Sequence, residues 1–279
     1  MNPIISAKDL KEIIAKGGNP VVLDARTGKD AQSNYLQEHL KGAFFIHLDQ
    51  DLAGIGEDAA QGGRHPLPRL GTFAKKLSSL GLTPEAQVVV YDTSNGANAA
   101  ARCWWMLKAA GVEKAQVLNG GLQAAKEEGL AMASGHETAE SQPFSAPENW
   151  LLPTISIDEV EKGLSDGSIT VIDVRDAYRY RGESEPIDLL AGHIPGAINI
   201  PFSENLDDRG HFLPPSDLKT KYSELLNGRP EPIVVHCGSG VTACHTILVL
   251  ASAGLPVPKL YVGSWSEWSR RGKPIATEI

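Results

Sequence analysis

Val21-Val22-Leu23-Asp24-Ala25-Arg26 returns later in the chain as Val171-Ile172-Asp173-Val174-Arg175, and this echo decides the fold. Three further echoes keep the same order. His39-Leu40-Lys41-Gly42-Ala43 returns as His193-Ile194-Pro195-Gly196-Ala197, Val88-Val89-Val90-Tyr91-Asp92 as Ile233-Val234-Val235-His236-Cys237, and Leu118-Asn119-Gly120-Gly121-Leu122 as Tyr261-Val262-Gly263-Ser264-Trp265. The offsets are 149 residues (24 to 173), 154 (39 to 193), 145 (92 to 237) and 143 (118 to 261). A preserved order with a slowly drifting offset is one domain duplicated with small insertions; the period is far too long for a solenoid.

Within each half, short β-branched runs alternate with amphipathic segments. The pattern predicts helices over 7–14, 72–80 and 98–110 and strands over 21–24, 88–91 and 115–118. In the second half it predicts helices over 156–164, 216–226 and 242–253 and strands over 169–173, 233–236 and 258–262. Continuous apolar strands between helices belong to a parallel sheet covered by helices, so the fold class is α/β with two tandem domains. The stretch 131–153 lacks periodicity and is rich in Ser, Ala, Glu and Pro, which reads as a linker between domains at 1–130 and 154–279. Ligands of such sheets sit beyond the carboxyl ends of the strands, which points to the residues following Asp92 and His236.

Composition agrees. The chain has 279 residues, about two domains at roughly 150 residues each. Apolar residues make up 42%, enough for ordinary cores, and the net charge of −8 argues against a nucleic-acid partner. No stretch approaches the ~20 apolar residues of a membrane span, and Met1-Asn2-Pro3-Ile4-Ile5-Ser6 carries no signal-peptide pattern. Three cysteines, Cys103, Cys237 and Cys244, are too few and odd in number for a disulfide scaffold, so a cytoplasmic location is expected.

The chemistry concentrates in His236-Cys237-Gly238-Ser239-Gly240-Val241-Thr242-Ala243-Cys244, which follows a strand and opens a helix. Gly238 and Gly240 allow a tight loop to turn its N–H groups inward, and the helix behind adds a positive field. A cysteine there is expected to have a lowered pKa and to act as a nucleophile in an anion cradle. Three rivals compete. Gly238-x-Gly240-x-x-Ala243 matches a dinucleotide fingerprint, but only 36 residues follow Ala243 and no acidic residue lies near position +20. A cysteine phosphatase needs an arginine six residues after the nucleophile, where this chain has Ala243. The plain alternative is a buried cysteine at a strand end.

The repeat, the Asp-x-Arg strands, Gly192-His-Ile-Pro-Gly-Ala197 and the cysteine loop together resemble tandem-domain rhodanese sulfurtransferases over nearly the whole chain. The loop from Cys237 to Ala243, Ala101-Arg-Cys-Trp-Trp-Met-Leu107 and Gly263-Ser-Trp-Ser-Glu-Trp268 look like the 3-mercaptopyruvate branch. Thiosulfate-preferring animal rhodaneses have two basic residues where this chain has Gly238 and Ser239. The resemblance implies two rhodanese-like domains, each a parallel sheet flanked by helices. It also implies two-step chemistry: Cys237 takes a sulfur atom from a small-molecule donor, 3-mercaptopyruvate, and hands it to a thiol, cyanide or thioredoxin-like acceptor. The alternatives are a thiosulfate donor, or a persulfide carrier for a protein partner. Asp92 stands where domain one would need a cysteine, which makes that domain catalytically silent and leaves it to close the cleft over domain two.

The resemblance also assigns roles. Arg179, in Tyr178-Arg179-Tyr180, would bind the donor's anionic group beside Gly238, Gly240, Val241 and Thr242; a second family arginine, downstream of a Glu-Pro pair, is missing because Ile187 follows Glu185-Pro186. Ser239 and His65, in Gly63-Arg64-His65-Pro66, would form a proton relay for the leaving enolate. Asp49 or Asp51 would complete that relay, or else cap a helix. Asp24/Arg26 and Asp173/Arg175 recur in both halves and read as structural ion pairs. Trp104, Trp105, Trp265, Trp268, Cys103 and Cys244 read as core. No His/Cys cluster has zinc spacing and no P-loop occurs, so neither metal nor cofactor is expected.

Overall fold

Val88-Val89-Val90-Tyr91 form a strand because a β-branched run suits a pleated surface that is covered on both faces, and all four residues are buried. This strand lies central in a five-stranded sheet of the computed structural model, which describes residues 1–278. The chain packs as two compact units.

Unit 1 comprises Met1–Ala53, Pro68–Leu152 and Asp208–Phe212. Its strands are β1 (Ile4–Ile5), β2 (Val21–Asp24), β3 (His39–Leu40), β4 (Ala43–Phe45), β5 (Val88–Tyr91), β6 (Ala115–Leu118) and β7 (Met132–Ala133). The main sheet runs β1-β6-β5-β2-β4, every pair parallel. Helices α1 (Ala7–Ala15), α2 (Ala31–Gln37), α3 (Leu48–Asp51), α4 (Leu70–Ser79), α5 (Ala99–Ala109) and α6 (Gly121–Glu127) connect these strands. Nearly every side chain of α5 is buried, Cys103, Trp104 and Trp105 among them, so these are core residues as expected. Ser6 starts α1 by accepting the Asp9 N–H at 3.0 Å, which satisfies one of the helix's orphan donors.

Residues 131–153, expected as a linker, are tied down. β7 pairs antiparallel with β3, and the N–H groups of Gly135, Gln142 and Leu151 donate to the carbonyls of Leu36, Ser78 and Ala109. Trp150 packs against Phe73 and Trp105. A segment without periodicity can still find partners one bond at a time, which sequence patterning does not register.

Unit 2 comprises Gly54–Leu67, Pro153–Asp207 and the described chain from Leu213. Its sheet runs β11-β10-β8-β9, again parallel, from β8 (Thr170–Asp173), β9 (Ile198–Asn199), β10 (Ile233–His236) and β11 (Lys259–Leu260). Its helices are α7 (Ile157–Asp166), α8 (Ala177–Arg181), α9 (Pro215–Leu225), α10 (Ala243–Ser252) and α11 (Ser264–Trp268). Ser156 and Glu159 form a reciprocal capping box at the start of α7. Segment 54–67 packs in unit 2 although the sequence places it in the first repeat.

Strands β2 and β8 end in the same brace. Asp24 accepts from Arg26 Nε at 3.0 Å and Asp173 from Arg175 Nε at 3.0 Å, and each arginine also donates to a carbonyl, that of Glu38 or Gly192. Tyr35 donates to the Ala43 carbonyl and stacks on His39; Tyr180 donates to Ala197 and stacks on His193. These are the structural ion pairs the repeat implied.

Candidate active site

β10 delivers Cys237 at its carboxyl end, and α10 begins at Ala243, so the loop between them lies against a helix N-terminus. The loop is pinned from one side. Cys237 N–H donates to Ser264 Oγ at 3.2 Å, the Cys237 carbonyl accepts from Trp265 N–H at 3.0 Å, and the Gly238 carbonyl accepts from Ser266 N–H at 2.8 Å. Gly240 has a φ of +73°, and a Cβ there would stand 2.5 Å from the Val262 carbonyl oxygen, so glycine is required. Within the described residues the N–H groups of Gly238, Ser239, Val241 and Thr242 make no protein hydrogen bond. Cys237 is only 3% exposed.

Ser239 Oγ lies 2.8 Å from His65 Nδ1, so the structure brings these two residues together. Segment 54–67 makes this possible by docking on α11: Gly62 N–H donates to Glu267 Oε1, Arg64 N–H to Ser266 Oγ at 3.0 Å, and Gly63 packs directly on the Gly263 carbonyl. Asp51, by contrast, accepts the His47 N–H at 2.8 Å and pairs with Lys76, which is the helix-capping alternative.

Arg179 is 8% exposed and side-on to Glu185, with Nε at 3.1 Å and Nη2 at 2.7 Å. Glu185 also holds Arg175 and accepts the N–H groups of Ile187 and Asp188. Arg175 lies 4.6 Å from the centroid of the Trp265 ring, and Trp265 and Trp268 are core residues. Burial works against the Arg175 charge, but Asp173, Glu185 and the Cys237 sulfur outweigh it and raise its pKa.

Sequence reasoning missed a second arginine group. The Asp188 carboxylate accepts from Arg64 Nε at 3.0 Å and Arg270 Nη1 at 3.1 Å, and lies 3.5 Å from Arg179 Nη2. Arg64 adjoins His65 in the quoted motif, and that adjacency was the available signal; nothing in the sequence singled out Asp188 or Arg270. Among the described residues, no group of three or more His, Cys, Asp or Glu side chains could hold a metal ion. Among the described residues no helix is long and apolar enough to cross a membrane.

The matching loop of unit 1 has an occupant. The Asp92 carboxylate accepts four backbone N–H bonds, from Ser94 and Gly96 at 2.8 Å, Asn98 at 3.2 Å and Ala100 at 3.1 Å. Burial raises the pKa of this carboxyl and the four donors oppose the rise. The fold therefore builds a backbone anion cradle at this strand end, and in unit 1 a side chain of the chain itself fills it.

Comparison with known proteins places the chain. The rhodanese-like domain family matches residues 6–128 and 156–271. Over 265 residues, covering 92% of both chains, the protein is 42% identical to a Pseudomonas aeruginosa protein named as a probable 3-mercaptopyruvate sulfurtransferase. It is 35% identical, over 95% of its length and 93% of the relative, to a Mycobacterium tuberculosis protein provisionally named a thiosulfate sulfurtransferase. The crystal structure of the Escherichia coli 3-mercaptopyruvate enzyme superposes with a TM-score of 0.76 at 31% identity, covering 96% of this chain and all of that one.

Proposed function

Because the chain belongs to the rhodanese family in both of its repeats, we propose that it is a sulfurtransferase carrying sulfur from 3-mercaptopyruvate through a Cys237 persulfide to a thiol or cyanide. One observation carries this reading. Cys237 sits in a glycine-bearing backbone cradle with the Ser239–His65 pair at 2.8 Å two residues away, which joins a sulfur nucleophile to a proton-handling pair.

The Cys237 thiolate attacks the donor sulfur. The donor's C–S bond breaks, and its electron pair goes to carbon as the enolate of pyruvate. The thiol proton of the donor passes through Ser239 and His65 to that carbon, so pyruvate leaves and the outer sulfur stays on Cys237. In this reading the N–H groups of Gly238, Val241 and Thr242, which make no protein hydrogen bond among the described residues, serve the reacting sulfur, and Arg179 binds the donor carboxylate. A thiolate or cyanide then attacks the outer sulfur and Cys237 returns as thiolate, with a thioredoxin-like protein thiol as one such acceptor. Unit 1 takes no part in this chemistry, because a carboxylate at Asp92 forms no persulfide and already occupies its cradle. The three cysteines are free, and thiolate chemistry needs a reducing compartment, so we place the protein in the cytoplasm.

Steady-state sulfur transfer to cyanide, with 3-mercaptopyruvate set against thiosulfate and Cys237→Ser as control, tests the proposal. Preference for mercaptopyruvate is the expected result. Preference for thiosulfate overturns the donor assignment. Persulfide on Cys237 by intact mass without turnover on either donor makes the protein a carrier.

A further inference from the structure

The donor of the proposed reaction carries a carboxylate, and the sequence offers Arg179 alone for it. The structure brings a second guanidinium to the same place. A Cβ built on Gly238 would stand 3.2 Å from Arg64 Nη2, 3.5 Å from Arg179 Nη2 and 3.5 Å from Asp188 Oδ2. The absence of a side chain at 238 is what lets two guanidiniums stand against the backbone of the cysteine loop. Resting on the mercaptopyruvate reading above, we propose that Arg64 is a second carboxylate-binding, specificity-determining side chain of the donor site, aimed by Asp188.

Two observations carry this. Arg64 is fixed before any ligand arrives: its N–H is bonded to Ser266 Oγ and its Nε and Nη2 lie side-on to Asp188 at 3.0 and 3.3 Å. That pairing uses one edge of the guanidinium and leaves Nη1, which makes no hydrogen bond within the described residues, for an incoming oxygen. Arg64 is also the guanidinium of the cluster that a ligand reaches most easily, with 26% of its side chain accessible against 17% for Arg270, 10% for Arg179 and 1% for Arg175. Arg64 thus supplies, from the segment that also positions His65, the cation that Ile187 fails to supply after Glu185-Pro186.

The test separates donor from acceptor. Arg64→Gln and Arg64→Lys are compared with the native enzyme in steady-state transfer from 3-mercaptopyruvate to cyanide, and in persulfide loading of Cys237 followed by intact mass. Loss of a charge-assisted contact predicts that Arg64→Gln raises the donor KM about tenfold or more. The cyanide KM and the rate at saturating donor stay within about twofold, and Arg64→Lys recovers part of the loss because it restores charge without the planar fork. An unchanged donor KM in Arg64→Gln overturns the proposal. So does a parallel rise of donor and acceptor KM, which would mark Arg64 as a strut for segment 54–67. If Arg64→Gln does not fold, the same ratio is read from Arg64→Lys. Failure of the native enzyme to use mercaptopyruvate is a separate result: it sinks the donor reading before any variant is made.

Discussion

Gly240→Ala tests whether the cradle depends on backbone geometry alone. The residue has a φ of +73°, and an L side chain there costs about 1–2 kcal/mol. The new methyl would also stand 2.5 Å from the Val262 carbonyl oxygen, where ordinary contact begins at 3.4 Å, so something must move by nearly 1 Å. The neighbour is backbone and cannot turn aside as a side chain does. Val262 leads directly into Ser264, Trp265 and Ser266, which pin Cys237 and Gly238, so the displacement is passed to the nucleophile. Adding about 1–2 kcal/mol for the overpacking gives a total near 2–4 kcal/mol. With a urea slope of about 2 kcal/mol per molar, the unfolding midpoint falls by about 1–2 M. Two assays read the effect, urea unfolding and the rate at which Cys237 gains sulfur from excess donor. Both are expected to drop. A variant with native midpoint and native loading rate would refute the claim that this loop is held by a glycine-only conformation.

Arg179→Ala is expected to raise the donor KM about tenfold or more, since a charge-assisted bidentate contact is lost, and steady-state kinetics checks it. Ser239→Ala interrupts the proton path and should lower the mercaptopyruvate rate by about 100-fold or more. Transfer from thiosulfate, whose sulfite leaves without a proton, should change far less, so equal losses with both donors would contradict the relay. Burial chiefly holds the His236 imidazole below its ordinary range, with the Asp173 carboxylate opposing. The unfolded chain therefore takes up the proton first, so stability is complete above the ordinary histidine pKa of about 6.5 and is lost as pH falls through it. Urea midpoints of His236→Phe measured down that range should show a flatter slope than the native protein. Asp92→Ala strips four N–H groups of their acceptor and should destabilise by about 3 kcal/mol or more while leaving the donor KM unchanged, as paired denaturation and kinetics would show.

The strands were legible because β-branched runs bury on both faces: expected strands 21–24, 88–91, 115–118 and 233–236 coincide with β2, β5, β6 and β10. Helix ends moved by a residue or two, as fraying termini do. The cysteine loop was legible for a local reason, since glycines, a strand end and a helix start are all neighbours in the chain. What stayed hidden was non-local. Gly62 and Arg64 bond to Glu267 and Ser266, some 200 positions away, and no periodicity encodes such pairs. The Arg64–Asp188 pair spans 124 positions, and each partner alone looks like an ordinary polar loop residue. Arg179 was singled out by its motif, but its tether to Glu185 was not, because a family pattern names positions and not the partners that aim them.

The duplicated loop separates what the fold contributes from what one residue contributes. In unit 1 the strand-end residue is Asp92, and four N–H groups converge on its carboxylate. The backbone there is already an anion receptor, with no catalytic side chain required. In unit 2 the strand-end residue is Cys237, and the N–H groups of Gly238, Ser239, Val241 and Thr242 make no protein hydrogen bond within the described residues. A thiol has no oxygen pair to span such a cradle, so an anion carried by the sulfur, or by the donor bound to it, is what fits. On the proposed function, one loop is filled by a side chain of its own while the other is left to take an anion from outside. The arginines beside Gly238 are each held by carboxylates of their own unit. Paired to Glu185 and Asp188, Arg64 and Arg179 stand at the edge of the loop, where the proposed donor carboxylate would meet them.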